Sequence, residues 1–266
     1  MPQIHATAIV EAGAELADDV TIGPYCCVGP GVSLGAGVVL QSHVVVTGNT
    51  RIGARTHAFP FVSLGQVPQD KKFKGEPARL EIGEDNVIRE GVTMSIGTEG
   101  GGMLTKVGDR GLFMAGAHVA HDCIVGNDVI IANNGTLAGH VIVGDFVILG
   151  GLSAIHQFCR LGRHSIIGGV TGVERDVIPY GMVMGDRARL NGLNLRGLQR
   201  NGFSPDAIRT LRQAYGELFG GPGTFADRLA AVAARYAEDA AVIEIVEFIR
   251  ADSNRGLVQP DTDHGA

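Results

Sequence analysis

The chain has 266 residues, of which 45% are hydrophobic and 19% charged, and its formal net charge is −6. This acidic balance argues against nucleic acid as a partner, and no stretch approaches the roughly 18 apolar residues of a membrane span. No basic region followed by an apolar run opens the sequence, so we expect no signal peptide and a cytoplasmic location.

Apolar residues recur at every sixth position along most of the chain. The residue after each of them is often Gly or Ala, and Ala, Val, Cys, Ser or Thr stands four positions on. A period of six fits neither an α-helix nor an alternating strand. It predicts an all-β solenoid in which very short strands alternate with tight turns. The apolar series comprises Ile4, Val10, Leu16, Ile22, Val28, Leu34, Leu40, Val46, Ile52, Ala58 and Leu64, then Ile82, Ile88 and Met94, then every sixth residue from Val107 to Val173.

Three hexads close one coil of about 18 residues, and successive coils stack at the strand spacing of roughly 4.8 Å. The glycine at the second position of a hexad fits either a turn that needs a positive φ or a place with no room for a Cβ atom. Cys26, Cys123 and Cys159 occupy the small fifth position. They are predicted to be buried thiols, neither disulfides nor metal ligands, consistent with a reducing cytoplasm.

Two segments interrupt the period and are predicted to be loops that leave the solenoid. Residues 70–81, DKKFKGEPARLE, are charged, and residues 97–106, GTEGGGMLTK, are rich in glycine. Solenoid binding sites are often built from such insertions. We expect this role for the lysine-rich segment, whereas the glycine-rich one fits a binding loop and a tolerated surface insertion equally well.

The hexads stop near Pro179, and from about Asn191 the composition shifts to Arg, Ala, Leu and Glu. We therefore divide the chain into a β-solenoid at residues 1–190 and a helical domain at residues 191–266. Because the end coil of a solenoid needs a cap, the helical domain is expected to cover it.

Helix signals are distinct within this second part. Ser204 and Thr224 are predicted N-caps of two helices. Apolar residues at helical spacing between Val242 and Ile249 indicate a third. Residues 259–266 are expected to be frayed.

Steps of one whole coil along the sequence bring histidines from three coils to one corner of the solenoid. His121 is predicted to lie next to Gly139 in the following coil and in line with Gln157. Asp122 is likewise predicted to lie beneath His140. The three turns that meet there, here called the histidine corner, are Ala120–Asp122, Ala138–His140 and His156–Phe158.

Two chemistries fit this corner, which also has His118 just upstream. A neutral imidazole held by a carboxylate can act as a general base. Three histidines can instead bind zinc if their nitrogens converge within about 2.1 Å of one point. The spacing of the residues leaves both possibilities open.

The motifs AHDC, AGHV and HQFC, in this order, resemble the UDP-N-acetylglucosamine acyltransferase family of lipid A biosynthesis. The resemblance covers nearly the whole chain, including the helical tail, and implies a left-handed parallel β-helix that forms a homotrimer. It implies transfer of a 3-hydroxyacyl chain from acyl carrier protein to the 3-hydroxyl of UDP-N-acetylglucosamine, with no cofactor and no metal. Further matching segments are LQSHVVVTGNTRIG, LGQVPQDKKFKGEPARLEIG and GLQRNGFS.

The resemblance also implies roles for individual residues. His121 matches the general base, Asp122 the residue that orients it, and Gly139 the backbone N–H donor for the oxyanion. The substrate-binding positions that it implies are Gln69, Asp70 and Lys72 on the charged loop, His118, His140 and His156 around the sugar and acyl chain, and Gln157, Asn194 and Arg200 near the nucleotide. Clustered arginines between Arg187 and Arg212 fit docking of the acidic carrier protein.

The acyl groove is expected along a column of residues spaced one coil apart, namely Asn133, Gly151 and Gly169. In the family, a glycine at the position of Gly169 accompanies longer chains, which suggests a donor of about 12 to 14 carbons because each buried methylene is favourable. The chain departs from the family pattern at Ser95-Ile96, at Arg196 and at Asn201. The first departure leaves open a 3-amino UDP-sugar as acceptor. A metal-dependent hydratase or a non-catalytic scaffold on the same fold is the other alternative.

Overall fold

A computed structural model describes residues 1–261, and the chain forms a left-handed parallel β-helix followed by α-helices, as predicted. Its strands build three faces. The first face has 11 strands: Gln3–Ile4, Thr21–Ile22, Val39–Leu40, His57–Ala58, Val87–Ile88, Leu112–Phe113, Ile130–Ile131, Ile148–Leu149, Ile166–Ile167, Gly181–Met184 and Arg189–Leu193. The second has nine: Ile9–Val10, Cys27–Val28, Val45–Val46, Ser63–Gln66, Thr93–Ser95, His118–Val119, Thr136–Leu137, Ala154–Ile155 and Gly172–Val173. The third has eight: Glu15–Leu16, Val32–Leu34, Asn49–Ile52, Arg79–Ile82, Leu104–Val107, Ile124–Val125, Ile142–Val143 and Arg160–Leu161.

The predicted coil length is confirmed by the strand pairing. His118 pairs with Thr136, and Thr136 pairs with Ala154, all in parallel. The first residue of each hexad points into the coil, and Leu137, for example, is fully buried. The thiols at the fifth hexad position, those of Cys26, Cys123 and Cys159, are free and buried, as expected.

Several of the second-position glycines are required for close stacking of the coils. A Cβ atom on Gly53 would lie 2.5 Å from the carbonyl carbon of Gly83 in the next coil, and one on Gly126 would lie 2.5 Å from Oδ1 of Asp145. Neither glycine has a positive φ. Glycine is therefore required at Gly53 and Gly126 because there is no room for a Cβ atom, and not because the turn needs a positive φ.

Positive φ occurs instead at the fourth position of the hexad, and non-glycine residues adopt it there. Asp122, His140 and Phe158 have φ values of 60°, 62° and 67°. Their N–H groups bond the preceding coil, as when His140 N–H donates to the His121 carbonyl at 3.0 Å. A left-handed conformation costs an L-residue roughly 1–2 kcal/mol, and this hydrogen bond helps to offset it. The histidine corner thus consists of strained turns held in register.

Both insertions are shorter than predicted. Arg79–Ile82 is a strand that pairs with Asn49–Ile52 on one side and Leu104–Val107 on the other, so residues 79–81 and 104–106 belong to the third face. Each of these strands has four residues, whereas most of the others have two, and they bury Leu80 and Thr105 two positions before the hexad residue. Charged neighbours concealed that pattern in the sequence.

Four α-helices follow the last strand. They are α1 (Leu195–Arg200), α2 (Pro205–Gly220), α3 (Phe225–Arg235) and α4 (Ala240–Arg250). The predicted N-caps are confirmed: the Ser204 hydroxyl accepts a hydrogen bond from Ala207 N–H, and Thr224 forms a capping box with Asp227. Helix α1 was not predicted from the sequence.

Apolar faces of the helices continue the core of the β-helix, where Tyr180 packs against Phe203 with ring centroids 5.7 Å apart. No helix among residues 1–261 is long and apolar enough to cross a membrane. The expected fraying at residues 259–266 is wrong for Gln259, whose carbonyl accepts a hydrogen bond from Leu190 N–H at 3.0 Å. Residues 262–266 lie outside the described part of the chain.

A buried histidine makes the fold sensitive to pH. His164 is 2% exposed and is stacked between Phe146 and Tyr180, at centroid distances of 4.6 and 5.9 Å. Burial, followed by the nearby Arg163, lowers the pKa of His164 to about 4. The unfolded chain takes up this proton near pH 6.5 and the folded chain only near pH 4, so acidification through this window favours unfolding.

Replacing His164 with phenylalanine is expected to flatten this pH dependence. Phe146 occupies the equivalent turn with a φ of 59°, so the backbone accepts a phenyl ring. The wild type should lose up to about 3 kcal/mol of unfolding free energy between pH 6.5 and pH 4 through this group, at about 1.4 kcal/mol per pKa unit, and His164→Phe should not. Urea titrations at several pH values measure the difference, and parallel curves for the two proteins would contradict it.

Candidate active site

The centre of the histidine corner is a hydrogen-bonded pair of neighbours. His121 Nδ1 lies 2.8 Å from Asp122 Oδ2, and the Asp122 side chain is fully buried, whereas the His121 side chain is 14% exposed. An ionised carboxylate only accepts hydrogen bonds, so Nδ1 carries the proton and Nε2 remains an acceptor. The pair therefore presents a basic nitrogen in a fixed orientation.

Two threonines that were not predicted from the sequence to belong to the site hold Asp122. Thr98 donates its N–H to Oδ1 at 2.8 Å and its hydroxyl to Oδ2 at 2.6 Å. The N–H of Asp122 donates to the Thr105 hydroxyl at 2.8 Å. The glycine-rich segment is thus part of the site, which answers the question that its sequence left open.

Gly139 lies directly against the imidazole, as the coil arithmetic predicted. A Cβ atom at this position would lie 2.5 Å from Cε1 and 2.7 Å from Nε2 of His121. Among residues 1–261, the Gly139 N–H donates to no backbone carbonyl. The corner therefore holds a base and an unused backbone donor side by side.

The neighbouring histidines are held neutral by burial. Burial lowers the pKa of His118, and the nearby His121 lowers it further. Thr93 Oγ1 lies 2.7 Å from Nδ1 of His118. Burial likewise lowers the pKa of His140 against the opposing effect of Asp122. Both rings can exchange hydrogen bonds with a neutral ligand without adding charge.

Part of the charged loop closes over the corner and leaves a cleft of about 500 Å³. Asp70 and Lys72 line this cleft together with His140 and Phe158. Gln69, the preceding loop residue, is exposed. The structure thus brings two of the three predicted loop residues to His140.

The third turn of the corner is exposed and tied to the C-terminal segment. Gln157 accepts a hydrogen bond at its carbonyl from Nε of Arg255 at 2.8 Å, and the Phe158 ring stacks on His140 at 4.5 Å. His156 Nδ1 lies 3.2 Å from the Gln157 carbonyl. Arg255 is 98 residues away from Gln157 in sequence, so no local pattern predicts the contact.

The remaining predicted residues lie elsewhere on the chain. Asn194 is the N-cap of α1: its side chain accepts from Gly197 N–H at 3.0 Å and donates to the His164 carbonyl at 2.9 Å. Arg200, at the end of α1, is exposed. Asn194 is thus bonded to His164, at the corner after the third face, whereas His121 lies at the corner after the second face. Within one chain, Asn194 does not reach His121.

The predicted glycine column is present at the corner after the first face. A Cβ atom on Gly169 would lie 3.3 Å from the Gly151 carbonyl oxygen, and one on Gly151 would lie 3.4 Å from that of Asn133. Gly169 is exposed. The column therefore presents backbone without side chains at its two glycines, and it is separate within one chain from the histidine corner.

A three-histidine zinc site does not match this geometry. Among residues 1–261, the potential metal ligands that converge within 4.8 Å of one another are His121, Asp122 and His140. The first two are already bonded to each other, and Thr98 bonds both oxygens of Asp122. A metal ion would have to replace these hydrogen bonds, so the residues present fit a general base better than a metal centre.

Comparison with known proteins decides the family. An acyl-[acyl-carrier-protein]–UDP-N-acetylglucosamine O-acyltransferase of Rhizobium johnstonii is 49% identical over 258 residues, covering 97% of this chain and 95% of its own. One of Thiobacillus denitrificans is 48% identical over 259 residues, covering 97% and 100%. The chain belongs to the UDP-N-acetylglucosamine O-acyltransferase family.

Solved structures and a family model agree with this assignment. The UDP-N-acetylglucosamine acyltransferase of Francisella novicida superposes with a TM-score of 0.94 at 33% identity, covering 98% of this chain and 95% of its own. That of Campylobacter jejuni has a TM-score of 0.91 at 35% identity, covering 97% and 100%. Residues 176–258 also match the model described as UDP N-acetylglucosamine O-acyltransferase, domain 2. The C-terminal helices thus belong to the family together with the β-helix.

Proposed function

We propose that this enzyme transfers a 3-hydroxyacyl chain from acyl carrier protein to the 3-hydroxyl of UDP-N-acetylglucosamine, the first step of lipid A biosynthesis. The observation that carries the proposal is the buried Asp122 carboxylate on His121 Nδ1, which leaves Nε2 as a base beside the free N–H of Gly139. Relatives that are about half identical over the whole chain bear the name of this activity.

The reaction follows from the positions of these groups. Nε2 of His121 removes the proton of the sugar 3-hydroxyl as its oxygen attacks the thioester carbonyl. The buried Asp122 stabilises the imidazolium that forms, in the role of the third member of a catalytic triad. The Gly139 N–H donates to the oxyanion of the tetrahedral intermediate. Collapse of the intermediate expels the thiolate of the carrier, and His121 donates to this thiolate the proton that it removed from the sugar.

The cleft at the corner suits the sugar nucleotide. Lys72 supplies a cation for the diphosphate, Asp70 accepts from sugar hydroxyls, and neutral His118 and His140 exchange hydrogen bonds with the sugar. Gln69 directly precedes Asp70 in the sequence, and we assign it to the same cleft. In our proposal His156 and Gln157 contact the acyl donor and the nucleotide from the exposed third turn.

A homotrimer would complete the site. Asn194 and Arg200, at the two ends of α1, and the groove at Gly169, at another corner of the β-helix, lie apart from His121. A neighbouring copy must therefore supply them if they contact the same substrates. Threefold packing of flat faces around a closed axis supplies them symmetrically. The mass of the native particle in solution tests this part of the proposal, and it should be three times that of the 27.8 kDa chain. We place the enzyme in the cytoplasm, where both substrates are soluble.

The exposed arginines of the C-terminal part fit the carrier protein. Arg187 is partly neutralised by Glu174 at 3.1 Å, and Arg209 by Asp206 at 2.9 Å, whereas Arg196 and Arg200 are exposed on α1. We propose that α1 is where the acidic carrier docks. The side-chain N–H of Asn201, which differs from the family pattern, donates to the Gly197 carbonyl at the end of α1. This residue adds no positive charge to the helix.

A single assay tests the proposed function. The protein is incubated with 3-hydroxyacyl carrier proteins of several chain lengths and with UDP-N-acetylglucosamine or its 3-amino analogue, and products are identified by mass. Transfer to the 3-hydroxyl of UDP-N-acetylglucosamine is expected. Transfer only to the amine would establish the alternative acceptor, and no transfer with any pair would refute the proposal.

Chain length is expected to depend on Gly169. Its exposed Cα leaves the groove open beside Gly151, and a methionine side chain would fill it. Gly169→Met should therefore move the preferred donor to shorter chains, because each methylene excluded from the groove forfeits about 0.8 kcal/mol. Competition between donors of different length measures the shift. An unchanged preference would place the acyl chain elsewhere.

A further inference from the structure

We propose that Thr98 is a positioning residue for the His121–Asp122 pair, and that the glycine-rich loop at residues 97–103 holds it in place. The proposal rests on the proposed function, because Thr98 would act on acyl transfer through Asp122. Thr98 borders the cleft proposed for the sugar nucleotide, but its N–H and its hydroxyl both donate to Asp122.

Thr98 determines how the Asp122 carboxylate is rotated. Its N–H bonds Oδ1 and its hydroxyl bonds Oδ2, at 2.8 and 2.6 Å, so both oxygens are attached to one residue. Oδ2 also lies 2.8 Å from His121 Nδ1 and 3.8 Å from Nδ1 of His140. His121 is thus within hydrogen-bond distance of Oδ2 and His140 is not, and the Thr98 hydroxyl fixes the rotation that favours His121.

The loop has the composition that this contact requires. A Cβ atom on Gly101 would lie 2.0 Å from Cγ of Asp122, and one on Gly97 would lie 2.3 Å from the backbone nitrogen of Leu104. The loop also closes on Thr98 itself, whose carbonyl accepts from Met103 N–H at 2.8 Å. Gly100 is different, since a Cβ atom there would contact nothing within 4 Å. Only the glycines that face Asp122 or the adjoining strand are sterically required.

The hydroxyl of Thr98 can be removed without changing the shape of the side chain. Thr98→Val is expected to lower kcat by about 10- to 100-fold, roughly the fold-change that corresponds to the loss of one hydrogen bond to a charged group. The KM for UDP-N-acetylglucosamine should stay within about twofold, since the N–H and hydroxyl of Thr98 both bond Asp122 and valine keeps the shape that the side chain presents to the cleft. Thr98→Ser, which keeps the donor, should restore most of the activity. Equal defects in both variants, or an unaltered kcat in Thr98→Val, would overturn the proposal.

A double mutant separates positioning from a general structural role. If Thr98 acts through His121, Thr98→Val should lower the residual activity of His121→Ala by less than about twofold, because residues that act as a unit are not additive. A full additional loss would show that Thr98 acts by another route.

NMR spectroscopy tests the positioning role of Thr98 independently of catalytic activity. Nitrogen-15 NMR of the wild type should show His121 protonated at Nδ1 alone, whereas Thr98→Val should show a mixture of tautomers. An unchanged tautomer would overturn the role of Thr98 even in a protein that proved inactive. Absence of transfer by the wild type would instead refute the proposed function, so the two failures are distinguishable.

A matched glycine pair covers the possibility that Thr98→Val folds poorly. Gly101→Ala should displace Asp122 and reproduce the kcat defect, while Gly216→Ala, in α2 and with no atom within 4 Å of the added Cβ, should retain wild-type kcat and KM. Equal behaviour of the two alanine variants would contradict the role of the loop.

Discussion

Replacing His121 with alanine is expected to lower kcat by about a thousandfold, within the range by which general base catalysis accelerates a reaction. The sugar hydroxyl keeps its proton until a base removes it, and Nε2 of His121 is the basic atom beside Gly139. The KM for UDP-N-acetylglucosamine should change little, because the cleft with Asp70 and Lys72 remains. Steady-state rates with saturating acyl carrier protein measure the effect.

A distant histidine provides the control for this variant. His5 is exposed in the first coil, and His5→Ala should leave both kcat and KM unaltered. If His121→Ala retained more than about a tenth of the wild-type rate, general base catalysis by this residue would be ruled out, given its expected contribution of at least about 100-fold.

The period of six was sufficient to predict most of the β-helix, because each hexad is a local unit whose inward residue must be apolar. It failed where strands became longer. Leu80 and Thr105 are buried two positions before the hexad residue, and their charged outward neighbours concealed the strands. Helix α1 was missed because its N-cap, Asn194, is followed by only six helical residues, too few to show a period.

The regular coil length placed His121 beside Gly139 and Asp122 beneath His140 because no insertion interrupts the chain between them. It could not place Thr98. The second insertion lengthens its coil, so that Met94 pairs with Val119 and not with Leu112, the residue that a regular coil would bring beside it. A hydrogen bond across a loop of irregular length leaves no periodic trace. Thr98, which holds the carboxylate, can therefore be identified only in the folded chain. His121, Asp122 and Gly139 could be identified from the sequence.

Gly139→Ala is expected to lower kcat by about 100-fold or more, the loss that a displacement of about 1 Å can cause. The added methyl group would lie 2.5 to 2.7 Å from the His121 ring, and the ring is the part that can move. The φ of Gly139 is not positive, so the backbone at this position accepts alanine and the N–H donor is retained. The defect should therefore appear in catalysis and not in folding.

Gly29→Ala is the matched control for this substitution. Gly29 also lies at a turn that follows a strand of the second face, but its Cβ atom would meet the nearest atom, Cα of Thr47, at an ordinary 3.4 Å. Both variants should unfold at nearly the same temperature as the wild type, and only Gly139→Ala should be slow. If Gly139→Ala kept full activity, the ring would have room to retreat and still reach the sugar hydroxyl. In that case the close contact in the resting enzyme would not be what positions the base, and the orientation would depend on Asp122 alone.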